Sequence, residues 1–355
     1  MVHANRDQPL VPSFAVKLNG KPLVADLPLW IVNLVVEDDL DLPGMFTVEL
    51  ISKEDENGIA AWTDEQRLSL GAAVEISMGY GDDREALISG EITALEPTFS
   101  IAGPPTLVVR GYDKRHRLNV TRRTRSFVDQ KDSDIAAQIG SEAGLSVTAT
   151  DSGVTHSYVL QADQTDLQFL QERARRMQYE LAMDGETLLF RPVANAASSS
   201  VTLTLDDDLL EFRPRLALVP LTEIQVLGWD FKEKRTITTS AKAGDEVSTM
   251  DGKRSAAQQA ETFLGSAAET LVRSPVASQA EADQIAVARF NDAALDFIRG
   301  DARARGRTDV RAGRVIRLAD LGARFSGQYY VTSTVHRYSR RDGYLTDFRV
   351  RRNAS

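Results

Sequence analysis

The spacing of apolar residues changes twice along the chain, and this restricts the possible folds more than any other feature. In residues 13–112, apolar and polar residues alternate in short runs separated by turn residues, as expected for half-buried β-strands. In residues 113–192, two stretches have helical spacing, and alternation returns after the Ala/Ser-rich stretch 194–200. This order predicts a mainly β, α+β protein in which two β modules flank a small α/β module.

The first β module is predicted to contain about six strands, which cover residues 14–18, 29–36, 46–51, 74–78, 86–95 and 106–112. Asn19 and Gly20 both tolerate positive φ, so they predict a tight hairpin turn after the first of these strands. Short strands at regular spacing are typical of a β-barrel or a β-sandwich.

The α/β module is predicted to begin with a short helix. Ile135 and Ile139 lie on one face of that helix, Asp132 or Ser133 caps it, and Gly144 stops it. A second helix opens at Asp163 or Thr165, and its apolar stripe has spacings of three and four residues: Leu167, Leu170, Ala174 and Met177. A hairpin follows, with strands at 179–183 and 187–190 and a turn at 184–185.

The second β module is predicted to combine strands with one long helix. Its strands cover residues 201–205, 221–229, 231–239, 314–318, 328–338 and 344–351. The Ala-rich residues 255–271 suggest a helix, and Ser278 with Glu281 forms a capping box for a longer helix to about Ile298, which Gly300 stops. The predicted domains are therefore 1–112, 113–195 and 196–355, joined by a linker at 194–200.

The composition is that of an ordinary globular protein. Hydrophobic residues make up 42% and charged residues 26%, which excludes wholesale disorder, and the absence of cysteine excludes disulfides and thiolate chemistry. The N-terminal residues have no basic stretch leading into an apolar one, and no apolar run approaches 18 residues. We therefore expect a protein without membrane insertion that stays in the cytoplasm until it is assembled or released.

The sequence has no motif of a common enzyme class. Gly79-Tyr80-Gly81 lacks the third glycine of a dinucleotide site, and no phosphate loop, His-Glu-x-x-His pair or Gly-x-Ser-x-Gly elbow is present. Two groups of acidic residues, 37–41 and 206–208, could serve glycoside hydrolysis, but adjacent acids on a strand point to opposite faces. We interpret them as solvated strand ends and predict no catalytic residue, no metal and no cofactor.

Two segments are strongly basic although the net charge of the chain is −9. Residues 110–131 contain eight Lys/Arg and two acids, and residues 299–352 contain fourteen Arg and five acids. Alternation of arginines in residues 303–317 predicts one basic stripe if that segment is a strand. These segments could contact phosphate or acidic protein partners, and the net acidity of the chain favours protein partners. The predicted interface residues are Arg115, Arg117, Arg122, Arg123, Arg125, Arg303, Arg305, Arg307 and Arg314.

Three stretches in order resemble the late control gene D/VgrG family of phage-tail baseplate hubs. The clearest is Tyr158-Val159-Leu160-Gln161, followed by Thr165-Asp166-Leu167-Gln168-Phe169-Leu170, Glu172-Arg173 and Tyr179. The second comprises Gly111-Tyr112-Asp113, Arg117-Leu118, residues 122–127, Ser133-Asp134-Ile135 and Glu142-Ala143-Gly144-Leu145. The third comprises Gly327-Gln328-Tyr329-Tyr330-Val331-Thr332, Val335-His336, Gly343-Tyr344, Thr346 and Phe348.

This resemblance implies a phage-tail hub fold, with two tube-type β-barrel domains separated by a peripheral α/β insertion. It also implies a homotrimer whose six similar barrels adapt a sixfold inner tube to a threefold central spike. Many relatives continue into a spike, whereas this chain ends at Ser355 after the second barrel. We therefore expect a separate spike protein as a partner, beside the inner tube protein and other baseplate components.

The favoured function is a structural baseplate hub of a phage tail or contractile injection system. Two alternatives make different predictions. A peptidoglycan-degrading baseplate enzyme requires a convergent pair of carboxylates in a cleft. A nucleic-acid-binding protein requires an accessible basic surface at residues 115–125 and an affinity that falls steeply with salt.

Overall fold

The computed structural model describes residues 11–23, 30–51, 62–63, 65–230, 233–272 and 276–355. The first β module contains seven strands, followed by a 3₁₀ helix at Lys114–Asn119. The strands are β1 (Pro12–Leu18), β2 (Lys21–Pro22), β3 (Ile31–Asp39), β4 (Met45–Ile51), β5 (Ala73–Tyr80), β6 (Asp83–Thr98) and β7 (Thr106–Asp113). Asn19 and Gly20 have φ angles of 49° and 78°, so the hairpin predicted between β1 and β2 is confirmed.

The α/β module follows the 3₁₀ helix. Its strands are β8 (Arg122–Phe127), β9 (Gln130–Lys131), β10 (Ser146–Ala149), β11 (Thr155–His156), β12 (Val159–Thr165), β13 (Tyr179–Asp184) and β14 (Thr187–Pro192). Helices α1 (Asp132–Glu142) and α2 (Asp166–Arg175) pack their apolar faces into one core with β13 and β14. Thr165 caps α2 as predicted, whereas the N-cap of α1 is Lys131, one residue before Asp132 and two before Ser133, the predicted alternatives.

The second β module contains the remaining elements. Its strands are β15 (Thr202–Thr204), β16 (Leu209–Leu216), β17 (Glu223–Asp230), β18 (Arg235–Lys242), β19 (Ala268–Leu271), β20 (Ile298–Arg305), β21 (Val315–Ala319), β22 (Gly327–Ser339) and β23 (Gly343–Arg352). Its helices are α3 (Ala256–Leu264), α4 (Gln279–Ala294) and the short α5 (Gly322–Phe325). Strands β17–β19 form a separate sheet that packs against α4.

The two β modules are joined by one sheet of thirteen strands. Eight neighbouring strands run in the order β16-β20-β23-β22-β3-β4-β7-β6, and every pair among them is antiparallel. The pairing of β22 with β3 connects the modules, because residues 333–339 lie beside residues 33–39. Apolar side chains on one side of this sheet form separate cores for the first and second β modules. The prediction of a mainly β fold with two β modules around an α/β module is confirmed.

Three predictions within the second module were wrong or incomplete. Residues 255–271 are a helix only as far as Leu264, and the rest contains β19. Helix α4 ends at Ala294, and Gly300 lies inside β20, where a Cβ atom would overlap the ring of Phe212. Ser278 caps α4 as predicted by accepting from the Glu281 amide at 3.2 Å, but the Glu281 side chain accepts from the Ala277 amide at 2.9 Å and not from the Ser278 amide. The predictions at positions 29, 231 and 232 lie outside the described residues, and the domain boundaries stay predictions.

Candidate functional site

The eight neighbouring strands present one continuous surface of charged and polar side chains. In β20, Ile298, Ala302 and Ala304 point into the core, whereas Arg303 and Arg305 alternate with them on the exposed side. We call the exposed side of these eight strands the charged sheet face. One row of cross-strand neighbours runs across all of them: Glu211, Arg303, Asp347, Val335, Glu37, Met45, Tyr112 and Glu91.

Ion pairs link neighbouring strands across the charged sheet face. Asp347 accepts from Arg303 at 2.7 Å and lies 3.2 Å from Arg337. The guanidinium of Arg349 lies 3.2 Å from the Asp301 carboxylate. A shallow cleft of about 450 Å³ lies over these residues. Because both charges of each pair are partly exposed, each pair contributes at most about 1 kcal/mol, and the result is a hydrated surface of mixed charge.

The predicted basic stripe is shorter than the sequence alternation indicates. Arg303 and Arg305 lie on the charged sheet face, but β20 ends at Arg305. Arg307 lies beyond the strand and pairs with Asp208 at 3.0 Å and Asp309 at 2.7 Å. Arg314 also lies outside the strand and is exposed, without an acidic partner in the described part of the chain. The stripe therefore consists of strand residues up to Arg305.

The other predicted arginines are Arg117 in the 3₁₀ helix and Arg122, Arg123 and Arg125 on β8 of the α/β module. Arg117 pairs with Glu91, Arg122 lies 3.0 Å from Asp163, and Arg125 lies 2.8 Å from Asp166. Arg123 lies 3.6 Å from Asp166 and 3.8 Å from Glu142. These side chains are thus compensated within the chain, and most of them remain partly exposed.

Arg115 must be removed from the predicted interface because its side chain is only 1% exposed. It is held by Asp113, whose carboxylate lies 2.8 Å away, and it donates to the Asp39 carbonyl at 3.0 Å and the Leu181 carbonyl at 3.3 Å. Burial disfavours the guanidinium charge, but Asp113 and Asp38 raise the pKa of Arg115 overall. This buried pair joins the first β module to β13 of the α/β module.

A second buried junction joins the α/β module to the second β module. Tyr330 of β22 donates a hydrogen bond to the carboxylate of Glu180, and Arg191 donates to the same carboxylate at 3.0 Å. Arg191 also donates to the Gly313 carbonyl at 3.2 Å. Burial raises the pKa of Glu180, and Tyr330 and Arg191 act in the opposite direction.

A third junction holds α2 and β11 against α4. Asp132 lies 2.9 Å from His156 and accepts from Arg173, while Arg176 donates to Glu281 at 2.8 Å. His156 also faces Glu281, at 3.8 Å. Burial would raise the pKa of Asp132, but hydrogen bonds from His156 and Arg173 lower it overall. The three junctions fix the α/β module against both β modules, so the charged sheet face has a rigid support.

One group with a strongly lowered pKa lies in the interior. His336 is fully buried, burial lowers its pKa to about 3, and its Nδ1 atom lies 2.9 Å from the Tyr344 hydroxyl.

Within the described ranges, no group of three or more His, Asp and Glu side chains could hold a metal ion. None of the helices in the described part of the chain is long and apolar enough to cross a membrane.

Sequence reasoning missed most of the acidic half of the charged sheet face. Asp347 pairs with the predicted Arg303, and Glu37 and Asp301 lie on the same face, but these three acids lie on three different strands. The outward position of Asp347 could have been read from the alternation in residues 343–352, where every second side chain is apolar or packed inside. The pairing of Asp347 with Arg303 depends on strand pairing over long distances in sequence, which alternation does not specify.

This architecture is the fold of phage tail and baseplate proteins. The crystal structure of the 43 kDa tail protein of prophage MuSo2 from Shewanella oneidensis is 16% identical, with a TM-score of 0.68, covering 96% of this chain and 98% of that one. A tail protein from Neisseria meningitidis MC58 is 14% identical, with a TM-score of 0.69 and 96% coverage of both chains. At these identities the similarity concerns the fold.

A third similar structure is the E. coli c3393 protein. It is described as a component of the type VI secretion system with structural similarity to the T4 tail proteins gp27 and gp5. It is 13% identical, with a TM-score of 0.62, covering 96% of this chain and 77% of that one. The chain belongs to the family described as the Alg8 N-terminal domain, whose model matches residues 8–340. No curated protein sequence matches the chain significantly.

Proposed function

We propose that the protein is a structural baseplate hub of a phage tail or contractile injection system. In this proposal a homotrimer adapts the sixfold inner tube to the threefold central spike. The observation that carries it is the charged sheet face, a single rigid surface that the two β modules share. Each chain contributes two β modules, so three copies contribute six, which matches a sixfold tube with a threefold spike. The resemblance to late control gene D/VgrG hubs supports the same arrangement.

The ends of the charged sheet face support a ring of copies. β16 at one end has one strand neighbour among the described residues, and residues 93–98 of β6 at the other end pair only with β7. Each of these segments contains a proline, Pro214 or Pro97, and proline in a sheet is tolerated mainly on edge strands. Two different free edges on one chain suit a head-to-tail contact, which generates a closed ring when the rotation is right.

The distribution of polarity favours one orientation in such a ring. The face of the sheet opposite the charged sheet face is covered by the apolar cores of both modules. Only the charged sheet face is compatible with water, since its arginines and carboxylates are partly exposed. We therefore propose that it lines a water-filled passage continuous with the inner tube. The expected partners are the tube protein, a separate spike protein and other baseplate components.

A structural role is favoured over catalysis and over nucleic-acid binding. Glycoside hydrolysis needs one protonated and one ionised carboxyl across a cleft, whereas Asp347 and Asp301 are both paired with arginines. Arg117, Arg122 and the neighbouring predicted arginines are compensated by carboxylates in the chain. Clearing of a turbid cell-wall suspension would support an enzyme, and salt-dependent binding of DNA would support a nucleic-acid binder. The hub proposal predicts neither. We also propose that the protein assembles in the cytoplasm and is then incorporated into the phage tail or injection particle.

The test is the mass of the purified chain, measured by light scattering after size exclusion, alone and with its spike protein. The proposal predicts three times the chain mass of 39.1 kDa, and a monomer in both samples would contradict it. Leu210 is 44% exposed beside the free edge of β16, so Leu210→Asp is expected to reduce the trimer fraction. Val128→Asp is the matched control, because Val128 is 57% exposed between β8 and β9 of the α/β module.

A further inference from the structure

The apolar stripe of α3 continues past the part of the helix that the protein covers. Ala256, Ala257 and Ala260 on one face are buried in the second β module. The next positions on that face are Phe263 and Leu264, because residues three and four apart share a helix face. Yet Phe263 is 77% exposed and Leu264 is 46% exposed. The last turn of α3 therefore presents a large apolar surface that the described part of the chain does not cover.

This surface is one wall of a groove. Phe263 faces Leu218, which follows the end of β16 and is 39% exposed, and the groove between them has a volume of about 310 Å³. Arg254 lines the groove and is held in place by a hydrogen bond of 2.8 Å from its guanidinium to the Thr262 hydroxyl. Exposed apolar surface beside a fixed polar group is characteristic of a binding surface.

The rim of the groove is basic and uncompensated. Arg254, which lines the groove, and its exposed neighbour Lys253 have no acidic side-chain partner among the described residues. The single acidic residue of α3, Glu261, lies two residues before Phe263 and hence on another side of the helix.

We propose that this groove binds a short acidic segment of another protein. A large apolar side chain of that segment packs between Phe263 and Leu218, while its carboxylates pair with Arg254 and Lys253. The groove lies on α3, whose Ala256 packs into the core on the side of the sheet opposite the charged sheet face.

The test uses two fluorescein-labelled synthetic peptides and fluorescence anisotropy. In the acidic peptide leucine alternates with aspartate, and in the basic peptide lysine replaces each aspartate. The acidic peptide is expected to bind the wild-type chain, more weakly at high salt, and the basic peptide is expected not to bind. Equal binding of the two peptides, or no binding of the acidic one, would overturn the proposal.

Variants locate the binding site. Phe263→Ser and Arg254→Glu are each expected to weaken binding of the acidic peptide by about tenfold or more, as truncation of an anchor residue commonly does. The controls are Ile101→Ser, at an exposed apolar residue between β6 and β7, and Lys21→Glu, at an exposed lysine of β2. Unchanged binding by the groove variants, or equal losses in the controls, would refute the assignment.

Light scattering of the same variants separates the groove from the trimer contact. If Phe263→Ser lowers the mass of an oligomeric wild type, a second copy occupies the groove and the acidic-segment proposal is wrong. The wild type could instead be a monomer that binds the acidic peptide, with weaker binding in the groove variants. In that case the hub proposal fails and the groove proposal stands. Melting temperatures confirm that each variant is folded, which is expected because the substituted side chains lie on the surface.

Discussion

Removal of Arg115 tests the claim that the modules are fixed by buried ion pairs. Arg115 is 1% exposed and Asp113 is 5% exposed at the side chain, so Arg115→Ala leaves a carboxylate buried without its cation. It also removes the donors to the Asp39 and Leu181 carbonyls. Removing one partner of a buried pair typically destabilises by about 3–5 kcal/mol. We expect the free energy of the first unfolding transition that involves this junction to fall by about this amount.

Urea unfolding with hydrogen exchange measures this loss. Exchange is informative at the Gly44 amide, because it donates to the Asp113 carboxylate at 2.7 Å and reports directly on the junction. Local exchange avoids the assumption that three modules unfold in one step. We expect the protection of Gly44 to fall in Arg115→Ala and to recover in part when Asp113→Asn is combined with Arg115→Met, which removes both charges.

Arg122→Ala is the matched control. The Arg122 and Asp163 side chains are 55% and 80% exposed, so this variant is expected to lose at most about 1 kcal/mol. If Arg115→Ala costs no more than Arg122→Ala, or if Gly44 keeps its protection, the buried pair does not hold the junction and the reasoning is wrong.

Three further substitutions test other parts of the structure. Burial raises the folded-state pKa of Glu180 above its usual 4.5. The contribution of Glu180 to stability is therefore present below pH 4.5 and is lost as pH rises through the folded-state pKa. Glu180→Gln should remove this pH dependence from melting curves recorded from pH 4 upward. Asp132 has a lowered pKa, so its contribution to stability is present above pH 3.8 and is lost as pH falls through the folded-state pKa. The difference in melting temperature between wild type and Asp132→Asn should therefore narrow in acid. A difference that stays constant with pH would contradict this explanation. Gly300→Ala places a Cβ against the Phe212 ring and should cost about 1–3 kcal/mol in urea unfolding, while Gly103→Ala, which meets no atom within 4 Å, should cost much less.

Local patterns predicted the elements of this fold more successfully than their contacts. Alternation located most of the strands, and Thr165, Gly144 and the Asn19-Gly20 turn act as predicted because caps and turns depend on a few adjacent residues. The pairing of β3 with β22 joins residues about 300 positions apart, and no local signal specifies it. Gly300 was misread for the same reason, since its role depends on the distant Phe212 ring.

The candidate site shows the same limit. Charge clustering identified Arg303 and Arg305 on the charged sheet face, but it also selected Arg115, which is buried. Arginine is normally exposed, so sequence reasoning places it on the surface unless its partners are known. Those partners lie on β3, β7 and β13, which come together only after the modules have packed.

The central proposal is that three copies of this chain form a ring that meets a sixfold tube through six similar β modules. Single-particle images of the chain bound to its inner tube protein test this most directly. The hub proposal predicts three copies of the chain on one tube ring, with pseudo-sixfold density and the charged sheet face directed toward the central passage. Six copies per ring, or a charged sheet face directed away from the passage, would contradict it.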